Sequence, residues 1–463
     1  MEKGELFMQQ LKPEQTPERG MWSSRFGFLM AAVGSAVGLG NLWKFPYLAG
    51  ENGGGAFVLV YVGLVVILGF TLMLAELSIG RHTNSDAYGA YSKLKKGWGF
   101  VGGFGILAGF LILSYYSVVG GWVLKYIVAS VTGVGADKGA YFTNFITSPL
   151  EPVIYHLIFM GLTAVIVIRG ISGGIEKAVK IVMPALFIML MVIVLRSVTL
   201  EGASEGLKYY LTPNFSEITL KVFVAALGQV FFSLSLGMGC MVTYGSYLSK
   251  QEDLEKDALL IPSLDSLVAI MAGFAILPAV FAFGFAPGEG PGLMFITLPA
   301  VFESMPLGTI FSLIFFILVF FAAISSSISL MEVTVAFGID RLKWSRKVSV
   351  LVFTTVMFVI GIGASLSMGA WSDFLIPWID GNSYGIFDFL DVVTSYYLLP
   401  LGGLLSALFI GFVWGVPNAV KEIKTGGNFR TEKLWSVLIK YIVPILVFVI
   451  LLSTTGLLDR IIG

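Results

Sequence analysis

The sequence predicts an all-α integral membrane protein. It should have eleven transmembrane helices, arranged as a 5+5 inverted repeat with broken first and sixth helices, plus one extra C-terminal helix. Three observations lead there. Of 463 residues, 56% are apolar and only 13% charged, about half the charge of a soluble chain. Apolar runs of the ~20 residues needed to cross a bilayer recur along the whole length. Two of those runs, in corresponding positions, are interrupted by glycines and polar side chains.

The expected spans, in order, are 25–50, 55–81, 98–130, 152–169, 178–197, 221–248, 257–285, 307–339, 347–367, 384–415 and 436–458. Several are longer than the hydrocarbon is thick, so they are expected to tilt or to project into water. Residues 1–24 read as a cytoplasmic tail, because the first twenty are polar and lack the apolar core of a signal peptide. Residues 25–200 form the first repeat (spans 1–5) and 201–415 the second (spans 6–10). Residues 416–463 supply a cytoplasmic loop and the eleventh span. The starts of the first and sixth spans are separated by five spans; that number is odd, so the second repeat lies inverted relative to the first.

Lysine and arginine set the orientation. With the N-terminus inside, the tail and inner loops hold 21 of the 29. The outer loops 286–306 and 368–383 hold none, and they carry Pro287, Gly288, Gly290, Pro291, Trp371 and Trp378, which suggests compact loops. Eleven spans then place the C-terminus, ending at Gly463, outside. The expected location is the plasma or inner membrane, with lipid as the surrounding partner.

The first break is Gly34-Ser35-Ala36-Val37-Gly38-Leu39-Gly40-Asn41-Leu42-Trp43. Each glycine weakens a helix by about 1 kcal/mol relative to alanine. Within lipid, broken backbone persists only where protein or a polar cavity surrounds it. The segment therefore reads as a helix unwound at mid-membrane, with carbonyls freed for a small cation. The matching break in the sixth span is Ser233-Leu234-Ser235-Leu236-Gly237-Met238-Gly239. Paired breaks of this kind point to a transporter site at the repeat interface.

Other classes are disfavoured. Zero formal net charge and the lack of a basic arm give no footing for nucleic acid, and the single Cys240 excludes an intrachain disulfide. No His-Glu-x-x-His zinc signature occurs, His82 and His156 lie near opposite ends of their spans, and no phosphate-binding Gly-rich loop is present.

Four segments carry a specific resemblance: Gly34 to Pro46, then Glu51-Asn52-Gly53-Gly54-Gly55-Ala56-Phe57, Gln229-Val230-Phe231-Phe232-Ser233-Leu234-Ser235, and Ser325-Ser326-Ser327. With these in order, the chain resembles the neurotransmitter:sodium symporters over roughly residues 19–458, in particular their eleven-span prokaryotic amino-acid-transporting members. The resemblance implies sodium-coupled symport of an L-amino acid by alternating access, with no enzymatic activity and two sodium ions.

One sodium site, by resemblance, uses Ala36 (carbonyl), Asn41, Ser233 and Asp265, completed by the substrate carboxylate. Asp265 departs from the best-known bacterial pattern, where an amide stands. Animal members use chloride as the compensating anion; here Ala269, one turn on, cannot carry charge, so Asp265 is expected to replace chloride. The second site implied uses carbonyls of Gly34, Val37 and Ala322 with hydroxyls of Ser325 and Ser326. Taken alone, such serines usually bond their own helix or glue neighbours together.

For the substrate, the half-helix starting near Gly40 offers amides to a carboxylate, and Tyr116 adds a hydroxyl. Carbonyls of Ala36, Phe232 and Ser235 are expected to meet the amine, close to Ser233. The side-chain subsite implied is Ser35, Leu39, Ile112, Phe232, Met238, Ser326 and Leu330. It holds no ionised group, which disfavours charged substrates. Many relatives carry Phe where Met238 stands between two glycines; the thinner, adaptable thioether leaves room for large apolar and aromatic side chains.

The gates follow by the same resemblance. Lys44 and Asp391, with Tyr116 and Phe232, form the extracellular gate. Lys in place of the usual Arg loses the bidentate fork, so a weaker or water-bridged pair is expected. Arg19, Trp22, Ser246, Tyr247 and Asp340 form the intracellular one. Glu332 stands where relatives often carry Gln, and Glu76 is expected to make a structural bond to the sixth span. The alternatives are symport of another zwitterion or amine, and an ion channel. Two broken helices beneath an aromatic lid favour alternating access over an open pore.

Overall fold

The fold is a computed structural model that describes residues 20–285 and 292–454. Arg19, the loop residues Pro287, Gly288, Gly290 and Pro291, and the C-terminal Gly463 lie outside them.

Eight helices are individually long and apolar enough to cross a membrane: Gly55–Thr83, Gly99–Thr132, Ile171–Val198, Leu254–Ala282, Gly308–Asp340, Arg346–Leu366, Ile386–Ile423 and Glu432–Thr454. Two bent pairs add one span each: Arg25–Ala36 with Gly40–Glu51 at 49°, and Lys138–Thr147 with Glu151–Val167 at 76°. Leu220–Ser233 and Cys240–Gly245, joined across a non-helical break, supply the sixth of eleven spans.

Burial separates a centre from a rim. In their most apolar stretches the third and eighth spans are 83% and 72% buried, against 28% to 33% for the fifth, ninth and eleventh. The latter present Ile181, Ile188, Leu351, Val359, Ile445 and Phe448 outward, as lipid-facing helices must. The third and eighth spans pack along each other beside the first, and together with the sixth they surround the breaks.

Several boundaries differ from the sequence reading. The fifth span begins at Ile171 rather than 178, because Glu176, which resembled a loop charge, is buried and held by Ser23 and Ser24. The tenth continues past 415 to Ile423. Gly415 turns there with φ +91° and Pro417 opens a new amphipathic piece that buries Ala419, Val420 and Ile423. Short helices Ala87–Leu94, Ala203–Leu211 and Leu293–Ser304 connect spans. They are too short for a search based on bilayer thickness. Asp86, Asp137 and Asp253 cap the starts of three helices through the N–H of Gly89, Ala140 and Lys256. The loop 368–383 closes on a two-residue hairpin, Ile376–Pro377 against Ser383–Tyr384.

Candidate functional site

The first break begins where helix Arg25–Ala36 meets Val37, whose backbone is extended at φ −70°, ψ 107°. Asn41 Oδ1 then accepts the Gly38 N–H at 3.0 Å and restarts the chain as helix. Gly38 has to be glycine: a Cβ there would lie 2.5 Å from Ser326 Oγ and 3.0 Å from Tyr116 Oη. The sixth span breaks differently. Ser235, Gly237 and Gly239 have φ of +53°, +75° and +76°, a left-handed alternation that no helix tolerates. A Cβ on Gly237 would run into the Leu399 carbonyl and lie 3.1 Å from the Gly403 nitrogen. Glu76 Oε1 accepts the Gly237 N–H at 2.8 Å, the bond to the sixth span anticipated for that buried carboxylate.

Between the breaks lies a pocket lined by Ser35, Ala36, Gly38, Leu39, Gly40, Ile112, Tyr116, Phe232, Ser235, Met238, Ser326 and Leu330, with about 20 Å³ of free space. Little more than one water would fit; an amino-acid side chain requires Phe232 to swing away from Gly40. Of the residues expected to line it, Ser233 faces elsewhere, toward Asp265. Gly38 joins the lining.

Asn41 Nδ2 donates to Asp265 Oδ1 at 2.8 Å, to the Asp265 carbonyl at 3.1 Å and to Ser233 Oγ at 3.1 Å. Ser233 Oγ donates to Asp265 Oδ2 at 2.7 Å, and Tyr61 Oη to the same oxygen at 3.4 Å. Tyr61 was not anticipated; on its own span it reads as one more apolar aromatic. Hydroxyl and carboxylate oxygens, of the kind a hard cation takes, therefore gather beside the first break; Asn41 faces them with its NH2 group while its oxygen holds the Gly38 N–H.

On the other side of the break, Ser326 Oγ lies 3.4 Å from the Gly34 carbonyl and 3.2 Å from those of Ser35 and Val37. Ser325 Oγ bonds back to the Phe321 and Ala322 carbonyls, each at 3.0 Å. Ser325 is thus held as serines in membrane helices usually are, whereas Ser326 reaches across to the broken strand.

On the side that the lysine and arginine bias assigns to the outside, the Leu39 N–H donates to Tyr116 Oη at 3.2 Å. Lys44 Nζ stands over the Phe232 ring at 4.9 Å and the Tyr396 ring at 5.8 Å. Lys44 and Asp391 make no direct contact, in keeping with the weaker or water-bridged pair expected, and the aspartate's charge still acts on the ammonium. Asp391 Oδ1 instead accepts from Tyr115 Oη at 2.9 Å and Ser395 Oγ at 2.8 Å.

At the opposite end, Trp22 Nε1 donates to the Tyr244 carbonyl at 3.1 Å, and its ring packs edge-on to Tyr244 and Tyr247. Tyr247 Oη donates to Glu332 Oε1 at 2.7 Å, and Arg346 forks onto both Glu332 oxygens. Glu332 is thus a paired carboxylate. Arg346, in the next span, had counted only toward topology. Ser246 Oγ bonds the Thr243 carbonyl at 2.6 Å, and Asp340 Oδ2 accepts the Asp86 N–H at 2.7 Å. The tail is further anchored by Arg25 on Asp257 at 2.7 Å and by Ser23 and Ser24 on Glu176 at 2.6 Å and 2.8 Å. Isolated serines and a glutamate 150 residues apart offer no sequence pattern by which this anchor could be found.

The fold and the two broken helices define a secondary transporter of the membrane. The chain belongs to the sodium:neurotransmitter symporter family, which it matches over residues 19–138 and 150–459. It is 41% identical over 461 residues to an uncharacterized sodium-dependent transporter, YhdH, of Bacillus subtilis, covering 96% of this chain and 99% of that one. A sodium-dependent dopamine transporter of Bos taurus is 25% identical over 508 residues, covering 96% and 71%. Among solved structures, MhsT in complex with L-phenylalanine superposes with a TM-score of 0.88 at 43% identity, covering 94% of this chain and 100% of that one.

Proposed function

We propose that this protein carries L-amino acids with large apolar or aromatic side chains into the cell together with two sodium ions, by alternating access and without chloride. The observation that carries the reading is the placement of the Asn41–Ser233–Asp265 cluster and the Ser326 hydroxyl on opposite sides of one broken helix, both adjoining a pocket whose lining holds no charged side chain. Sodium is cargo. One ion is assigned to Ala36, Asn41, Ser233 and Asp265, the other to Gly34, Val37, Ala322, Ser325 and Ser326. The buried Asp265 carboxylate offsets the first ion's charge where an unpaired charge would be costly.

In this reading the substrate carboxylate takes the Tyr116 hydroxyl and the amides beyond Leu39, replacing the Leu39 bond to Tyr116. Its amine meets the Ala36, Phe232 and Ser235 carbonyls. Phe232 closes over it, and Lys44 moves with Phe232. Release inward requires Trp22 to leave Tyr244 and Tyr247. L-phenylalanine, bound in the related MhsT, is of the class the Met238 side of the pocket suits. The direct test is uptake of labelled L-phenylalanine into proteoliposomes, with and without a sodium gradient, against a panel of the twenty amino acids. Concentrative uptake that persists without sodium, or that only small or charged amino acids inhibit, rules the reading out.

A further inference from the structure

The eleventh span, Glu432–Thr454, is a rim helix, 28% buried over its most apolar stretch, yet it carries a lysine inside its length. Lys440 stands eight residues in, about 12 Å along the axis at a rise of 1.5 Å per residue. Its backbone packs on the tenth span: a Cβ at Gly411 would lie 3.3 Å from Lys440 Cα and 3.6 Å from its Cγ. Both helices widen to a π turn at this level, Phe409–Gly415 in one and Leu438–Ile442 in the other. Turns of that kind recur at functional sites. The lysine stem is held between two rings, with Nζ 5.5 Å from the centre of Phe412 and 5.3 Å from that of Tyr441. The two residues are 58% and 50% exposed, so the group is open to whatever lies beside the spans.

Aromatic faces attract the ammonium but do not neutralise it. The connection before it shares the imbalance. Between 416 and 440 stand Lys421, Lys424, Arg430, Lys433 and Lys440 against Glu422 and Glu432. Glu422 is taken by Arg81 and Lys250, and Glu432 by Lys424. Among the described residues, Lys421, Arg430, Lys433 and Lys440 are left without an acidic partner. Lys433 is exposed and precedes Lys440 by seven residues, which puts it on the same side of the helix, two turns nearer its start. A lysine at Lys440's depth extends its stem toward that end, where the membrane surface lies.

We infer that Lys440, with Lys433, binds the phosphate of an anionic phospholipid whose acyl chains lie over Phe412 and Tyr441. An unpaired cation within the apolar belt draws a counter-charge. A lipid delivers its phosphate there with an apolar body that suits the exposed rings; a soluble anion has no such body. The lysine and arginine bias assigns the site to the inner leaflet. A lipid so held bridges the tenth and eleventh spans. The tenth span also sets Leu399 and Gly403 against Gly237 in the sixth-span break, so the lipid steadies an element that shapes the central pocket.

The experiment is native mass spectrometry of the purified full chain in detergent, titrated with phosphatidylglycerol or with phosphatidylcholine of the same acyl chains. The anionic lipid should bind about three- to tenfold tighter. Lys440→Gln should weaken phosphatidylglycerol about fivefold and leave phosphatidylcholine unchanged, while Lys440→Arg restores the preference. Lys95→Gln, which removes an exposed charge elsewhere on the inner side, should leave it intact. A folding defect lowers both lipids alike, so the ratio of the two isolates the charge. The inference is overturned by a ratio that ignores Lys440→Gln or that Lys95→Gln lowers equally. It is also overturned if free glycerol 3-phosphate displaces the lipid, which assigns the site to a soluble anion, or if Lys440→Gln removes a dimer from the spectrum, which assigns the face to a second copy of the chain.

Discussion

Asp265 is a carboxylate with 0% exposure and, among the described residues, no cationic side chain on it; its partners there are Asn41, Ser233 and Tyr61. Such a charge persists in an apolar bundle when a cation shares its site. Asp265→Asn keeps the shape and removes the charge, so uptake by this variant should be poor in gluconate and improve with chloride, while wild type is indifferent to the anion. Wild-type uptake that collapses in gluconate contradicts the assignment. In the proposed pose Tyr116→Phe deletes a donor to the substrate carboxylate; a charge-assisted bond is worth roughly 1.5–3 kcal/mol, so substrate affinity should drop about 10–100-fold. Unchanged affinity means the carboxylate is held elsewhere. Met238 touches the pocket from the sixth-span break. Met238→Phe overpacks it at a cost of ~1–3 kcal/mol, which should fall on tryptophan more than on leucine. The ratio of their inhibition constants reports this, and a constant ratio reduces Met238 to filler.

At the scale of the element, the two breaks are made by different means. The first is held open by a side chain, Asn41 on the Gly38 amide. The second rests on backbone conformation, three left-handed residues with the tenth span pressed against Gly237, and on the Glu76 side chain accepting the Gly237 N–H. Gly237→Ala therefore meets both a left-handed φ, costing roughly 1–2 kcal/mol, and the Leu399 carbonyl. The variant should melt at lower temperature and lose uptake. Unchanged melting and transport would show that the tenth span yields easily, and the sixth-span break would then owe nothing to that contact. At the N-terminal end of the first span, Trp22 packs edge-on against Tyr244 and Tyr247, and the Glu332–Arg346 pair holds Tyr247 through Glu332.

For the whole molecule, the arrangement of charge predicts which face is which. Cys240, the single cysteine, is buried, so a cysteine introduced on the surface reports alone. Asn382→Cys, in the loop without lysine or arginine, should react with an impermeant maleimide on intact cells. Lys95→Cys, among inner-face charges, should react only after permeabilisation. The reverse pattern inverts the topology and, with it, the direction of every gate. The burial gradient makes the same molecule a packed centre of spans one, three, six and eight inside a lipid-facing rim.

Composition and order along the chain were enough for membrane class, the count of spans, the two breaks and the family, because each is written in runs of adjacent residues: apolar length, glycine interruption, motif. Nearly all pocket residues were legible for the same reason, lying on four short segments. Tertiary structure alone decided what distant residues do to one another. It turned Ser233 toward Asp265, brought Tyr61 to the same carboxylate, set Lys44 over the Phe232 and Tyr396 rings, and gave Glu332 to Arg346. Those pairings depend on how helices rotate and tilt against each other, which is settled by packing all eleven at once and leaves no local pattern in the chain.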